Sequence, residues 1–245
     1  MEKTIADAKI VNTCDDFVKE LKSIYGDGLI SVMLYGSAAS GEYSGANSNI
    51  NLAIVLKDFS LANVAKASEL INKYKFRSIK SVFLTEKYIA SSIDVFPLEF
   101  LDMKENNIAL YGKDVLSGIS VDVKNLRFQC EQEIKSKLIN IKTAYLSYRT
   151  ASDRKKLLLK FFTSSLHILR NILRLKGGAV VRSGEAIIRD ASAAFGLDLS
   201  VCKKILDMKN GNLKLKPSEV ENLFFNFAAQ LEKIADAVDR LKTLR

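Results

Sequence analysis

The 245-residue chain has no tryptophan, one histidine, two prolines and three cysteines, and each shortage removes a class of function. A single histidine, His167, excludes a paired-histidine metal centre and any acid–base scheme that needs two imidazoles. Cys14, Cys130 and Cys202 are odd in number and far apart, without the spacing of a zinc site or the density of a disulfide scaffold, so they read as small apolar packing residues. Only Pro97 and Pro217 interrupt the chain, which leaves long stretches free to form regular structure. No apolar run reaches membrane-spanning length, because the most apolar stretch, Leu157 to Leu175, carries Lys160, His167, Arg170 and Arg174 and reads as a bundle helix. The first ten residues lack the basic-then-apolar layout of a secretory signal, and a cytoplasmic protein without membrane contact is expected.

What the chain does have is an uneven charge. Its net +9 divides into 13 basic against 16 acidic residues over 1–123, and 24 against 12 over 124–245, so the basicity belongs to the second half. A positive half beside a near-neutral one suits nucleotide phosphates, nucleic acid or an acidic protein surface. Lysine-rich solvated helix faces explain it equally well, and an oligomer is left open. At 48% hydrophobic and 27% charged residues the composition is that of an ordinary globular chain, long enough for two modules.

Periodicity places the elements. Ile5, Ile10, Val11, Cys14, Phe17, Val18, Leu21 and Ile24 recur mostly at helical steps and predict one long amphipathic helix ending near Gly26 and Gly28. Leu29–Tyr35 predicts a strand, stopped by Gly36-Ser37 and followed by a short helix that ends at Gly41; Glu42–Ser48 is turn-rich. Ile50–Leu56 predicts a second strand, Leu61–Tyr74 a helix and Ile79–Leu84 a third strand, with Thr85 capping a short helix. Val95–Met103 is read as a further strand with Pro97 near its start, and Tyr111-Gly112 closes the segment. From Leu126 the period is helical, with five helices expected and a linker near Leu116–Lys124; the domain boundaries are therefore 1–120 and 121–245. Tyr145 and Tyr148 fall on an apolar stripe, and His167 reads as a core or interface histidine.

One stretch carries chemistry. A strand ending in Gly36-Ser37 and turning into a helix is a recipe for holding phosphate, since glycine lets the backbone approach and the first helical amides point at the anion. Taken with Asn49-Ile50-Asn51 on the next strand, the run Leu34 to Val55 resembles the signature of the polymerase-beta-like nucleotidyltransferase superfamily, and Tyr111-Gly112 resembles the dipeptide that closes that domain. The resemblance implies an α/β (α+β) fold, a nucleotidyltransferase-type mixed sheet flanked by helices followed by an all-α helical bundle domain. It also implies a nucleoside triphosphate (NTP) as ligand, held through Mg2+, with transfer of a nucleotidyl group to an acceptor hydroxyl. Gly36 and Ser37 are then the phosphate-binding residues.

The pattern departs from the family where it matters most. The family carries two metal-binding acids separated by one residue, and this chain has Asn49 and Asn51 at those metal positions. At an effective dielectric near 20, each charge lost about 4 Å from the ion removes roughly 4 kcal/mol of gross attraction. A neutral amide returns only a weak carbonyl oxygen to a cation that prefers anionic ones. Weak Mg2+ binding, and transfer activity that is weak or lost, are therefore expected. Asp94 and Glu99, with Asp102 behind them, are the candidates for a remaining catalytic carboxylate, and the third strand offers Ser81 as its pocket-facing position. Two further readings stay open: an active nucleotidyltransferase using Asp94 or Glu99 toward an unknown acceptor, and a scaffold whose basic bundle binds nucleic acid or an acidic protein.

Overall fold

Ile10, Cys14, Phe17, Val18, Leu21 and Tyr25 line one stripe of α1 (Ala8–Tyr25), and all are buried. The computed structural model describes residues 8–41, 43, 49–177 and 183–241. The chain divides into two compact units, residues 1–121 and 122–245.

In the first unit α1 is followed by β1 (Leu29–Tyr35), the one-turn α2 (Ser37–Ser40) and β2 (Ile50–Leu56). Next come α3 (Leu61–Val64), α4 (Ser68–Tyr74), β3 (Ile79–Leu84), α5 (Glu86–Ser92), α6 (Pro97–Glu105) and β4 (Asn107–Gly112). The four strands form one mixed sheet in the order β3-β2-β1-β4, with β1 antiparallel to both of its neighbours and β2 parallel to β3. Side chains alternate across a strand, so each face receives every second residue. Leu34, Leu52 and Ile54 meet the α1 stripe together with Leu70 and Tyr74 of α4. Met33, Ala53, Val55 and Leu84 meet Ile89 of α5, Phe100 of α6, Leu116 and Ile119. Phe17 is fully buried and stands edge-on to Tyr74 at 5.1 Å between ring centres. Removing such a ring typically costs about 3–5 kcal/mol, transfer and cavity together.

One expectation is corrected in this unit. Val95–Met103 is not a strand: residues Pro97–Glu105 are helical, and Pro97 takes the first helical position, where a missing amide costs nothing and the fixed φ suits the helix. The sheet's remaining strand lies further on, over Asn107–Gly112. Leu116 and Ile119 are buried in the first unit, and α7 begins at Val123.

The second unit holds five described helices: α7 (Val123–Ser147), α8 (Ala151–Arg174), α9 (Gly184–Phe195), α10 (Ser200–Lys209) and α11 (Pro217–Asp239). Thr150 and Ser183 cap α8 and α9 by accepting from the amides of Asp153 and Ala186. Phe162 and Phe227 meet at 6.0 Å in its core, and Tyr145 meets Phe224 at 5.1 Å with the rings tilted by 50°. Glu221 of α11 accepts from the Tyr145 hydroxyl and from the Arg154 guanidinium at 2.6 Å, joining three helices. Tyr148 lies beyond the end of α7 and is exposed, so it does not take the core position expected for it; His167 is exposed on α8, which corrects the core half of its core-or-interface reading. No helix among the described residues is long and apolar enough to cross a membrane.

Candidate functional site

At the C-terminal end of β1 the chain must reverse direction within two residues. Gly36 does this at φ 76° and ψ −148°, a backbone region that side chains exclude, and α2 starts directly behind it. The Gly36 amide donates to the Asn106 carbonyl at 3.0 Å, so it serves the fold. The amides of Ser37 and Ala38, in the first turn of a helix, have no intrahelical acceptor and are the ones free to face a ligand. Ser37 is half-buried.

Asn51 comes from β2 to the same place. A β-carbon at position 36 would stand 3.0 Å from the Asn51 Nδ2, so the asparagine amide packs on the bare face of Gly36. Two of the residues singled out by the motif are therefore in direct contact. Asn49 lies two residues earlier, half-buried at the start of β2. The segment between Gly41 and Asn49, apart from Tyr43, is outside the described residues, and so is the turn-rich run expected there.

Strand register extends the site across the whole sheet. Asn51 pairs with Tyr35 of β1 on one side and with Lys80 of β3 on the other, and Tyr35 pairs with Asn107 of β4. Lys80, Asn51, Tyr35 and Asn107 thus form one row on one face, with neighbours about 4.8 Å apart. The next row on that face, Val82, Ala53, Met33 and Ala109, leads into the apolar layer under α5 and α6. Asn107 is anchored: its Nδ2 donates to the Met103 and Lys104 carbonyls at 3.0 Å each and closes the last turn of α6. Burial pushes the Tyr35 phenol above its ordinary value, so it remains a neutral hydroxyl. Lys80 is exposed, and among the described residues no carboxylate is paired with its ammonium.

Ser81 does not face this row. It pairs with Leu52 and lies on the α1 side, where its hydroxyl is buried without a hydrogen-bond partner among the described residues. Position 80, not 81, is the one on β3 that adjoins Asn51. The signal was present in the sequence, because Ile79 and Phe83 are apolar at the same phase as Ser81 and belong to the α1 layer. Asp94 is exposed in the turn between α5 and α6, and Glu99 is exposed in the first turn of α6. Asn107 closes the opposite end of that helix, about 9 Å along its axis from Glu99 at 1.5 Å per residue.

The donor set can be tested against the magnesium that the resemblance implies. Magnesium needs near-octahedral oxygen at short distance, anionic where possible. The row supplies two amides, a neutral phenol and an ammonium, and Asn49 adds a third amide. Among the described residues no group of three histidine, cysteine or acidic side chains could hold a metal ion. These residues do not fit the ion.

No protein-family model and no curated protein matches the sequence. Among solved structures the chain is similar to a spectinomycin adenyltransferase, AAD(9), from Enterococcus faecialis, crystallised with ATP and spectinomycin. The identity is 12%, the match covers 91% of this chain and 98% of that one, and the TM-score is 0.56. A mutant of the toxin–antitoxin MntA-HpeT aligns over 54% of this chain and 98% of that chain at 16% identity, with a TM-score of 0.31. The mixed sheet flanked by helices and the helical unit after it are the fold of a nucleotidyltransferase.

Proposed function

We propose that the protein binds a nucleoside triphosphate at the Gly36-Ser37 turn and has weak or no two-metal transfer activity. The observation that carries this reading is the row Lys80–Asn51–Tyr35–Asn107, which adjoins the turn and contains no carboxylate. Two-metal transfer needs anionic ligands to hold both ions between the enzyme and the triphosphate, and the neutral row lacks that charge. The turn itself keeps the features that suit phosphate: a glycine with no side chain, two amides at the start of α2 and the Ser37 hydroxyl. ATP is the first ligand to test, since the structural neighbour was crystallised with it.

Titration calorimetry of the full chain with ATP, GTP, CTP and UTP, each with and without magnesium, tests the binding half. Heat from at least one is expected, and none from any of them refutes it. Transfer of labelled nucleotide to small hydroxyl compounds, RNA ends or protein tests the other half. Magnesium-dependent transfer that disappears in Asp94→Asn or Glu99→Gln would establish the active reading instead.

A further inference from the structure

The mismatch with magnesium has a positive side. A carboxylate row repels phosphate until cations bridge the two, whereas the row here already carries a cation. Lys80 stands one strand away from Asn51, about 4.8 Å, on the face that Gly36 leaves bare. Its ammonium has three donors and, among the described residues, no paired carboxylate. Asn51 adds an amide and Tyr35 a hydroxyl. All of these can donate to phosphate oxygen. A divalent cation in the same position would meet the ammonium at a few ångströms and find no charge to hold it.

The chain around β3 fixes this arrangement. Ser78 adopts a left-handed conformation at φ 58°, and its carbonyl accepts from the Ile50 amide at 2.9 Å. That bond locks the starts of β2 and β3 together and sets the parallel register that brings Lys80 beside Asn51.

We infer that the site takes the triphosphate of its nucleotide free of divalent metal, with the Lys80 ammonium neutralising the charge that magnesium would otherwise neutralise. This rests on the nucleotide-binding reading above and adds the ionic form of the ligand. It makes the protein a receptor for metal-free nucleotide, to which magnesium is a competitor because it sequesters that form.

The experiment is calorimetric titration of the full chain with ATP in EDTA and again in excess magnesium, on the wild type, Lys80→Ala and Lys80→Arg. Binding in EDTA at least as tight as in magnesium is expected. Lys80→Ala should lose about tenfold or more, the worth of one charge-assisted hydrogen bond, and Lys80→Arg should lose less than about threefold. Circular dichroism checks that each variant is folded, and the wild-type comparison decides even if one is not. Binding that requires magnesium overturns the inference and leaves nucleotide binding intact. Binding in EDTA that folded Lys80→Ala retains unchanged overturns the role of Lys80. Absence of ATP binding in both buffers, with none for the other three nucleotides, removes the nucleotide reading and the inference with it.

Discussion

Gly36→Ala should damage both stability and the site, by two routes that can be separated. The backbone at position 36 has φ 76° and ψ −148°, and a β-carbon there would also stand 3.0 Å from the Asn51 amide. Forcing a side chain into that backbone region costs about 1–3 kcal/mol. The contact is shorter than ordinary van der Waals distance, so Asn51 must yield by a few tenths of an ångström, adding up to about 1 kcal/mol of coupling. With roughly 1–4 kcal/mol in total and about 4 °C per kcal/mol for a unit of this size, the melting temperature should fall by roughly 4–16 °C. Thermal and urea unfolding of the full chain measure this. Asn51→Ala in the same chain removes the crowding and leaves the backbone strain, so the double variant should recover no more than about half of the loss. Gly36→Ala melting within about 2 °C of wild type, or complete recovery in the double variant, would refute the geometry assigned to the turn.

Gly112→Ala should be worse, at about 3 kcal/mol or more, because a β-carbon there would overlap the Ile30 carbonyl oxygen and stand 3.1 Å from its carbon, and backbone cannot step aside as a side chain can; urea unfolding checks it, and a loss under about 1 kcal/mol would contradict the β1–β4 pairing described. Asn49→Asp with Asn51→Asp should not by itself create a metal site, since Lys80 adjoins position 51 and would pair with the new carboxylate; adding Lys80→Ser should tighten manganese binding by about tenfold or more over the double variant, and equal affinities would show that the lysine is not in the row. Hydrogen bonds from Lys73 and Tyr74 hold the Glu20 carboxyl below its ordinary value, while burial, then Glu20 itself, push the Tyr74 hydroxyl up to about 12. A depressed carboxyl stabilises above its unfolded value, near about 4.3, and loses that contribution as pH falls through the lower folded value. The melting-temperature gap between wild type and Glu20→Gln should therefore stay level from about pH 7 to 5 and close below about pH 4, and a gap independent of pH would refute the assignment.

Much of the fold was legible because it rests on local periodicity. The α1 stripe and the strands β1, β2 and β3 could be read from apolar spacing, with Gly36 marking the first turn. Residues 95–112 were not, for two reasons. Pro97 has the same meaning at the first position of a helix as at a strand edge, and β4 has only partly buried apolar contacts, Ile108, Leu110 and Tyr111, between Asn107 and Gly112. The site divides in the same way. Gly36, Ser37, Asn49 and Asn51 belong to one short stretch and were found as a pattern, whereas Lys80 and Asn107 join them only through pairing between strands distant in sequence. Nothing within residues 79–84 alone states which partner residue each one will meet, although the phase of Ile79 and Phe83 already assigned Ser81 to the apolar side.

β3 is the outermost strand on its side of the described sheet, so among the described residues one line of its peptide groups has no neighbouring strand. Such a border invites a second chain to add itself, and a protruding charge is a common deterrent. Lys80 sits on that border with Val82, which is 36% exposed, two residues further along the same face. The cation that would greet a phosphate therefore also guards the protein against self-association, and exchanging it for an apolar residue should make concentrated solutions prone to clumping whether or not any nucleotide is present.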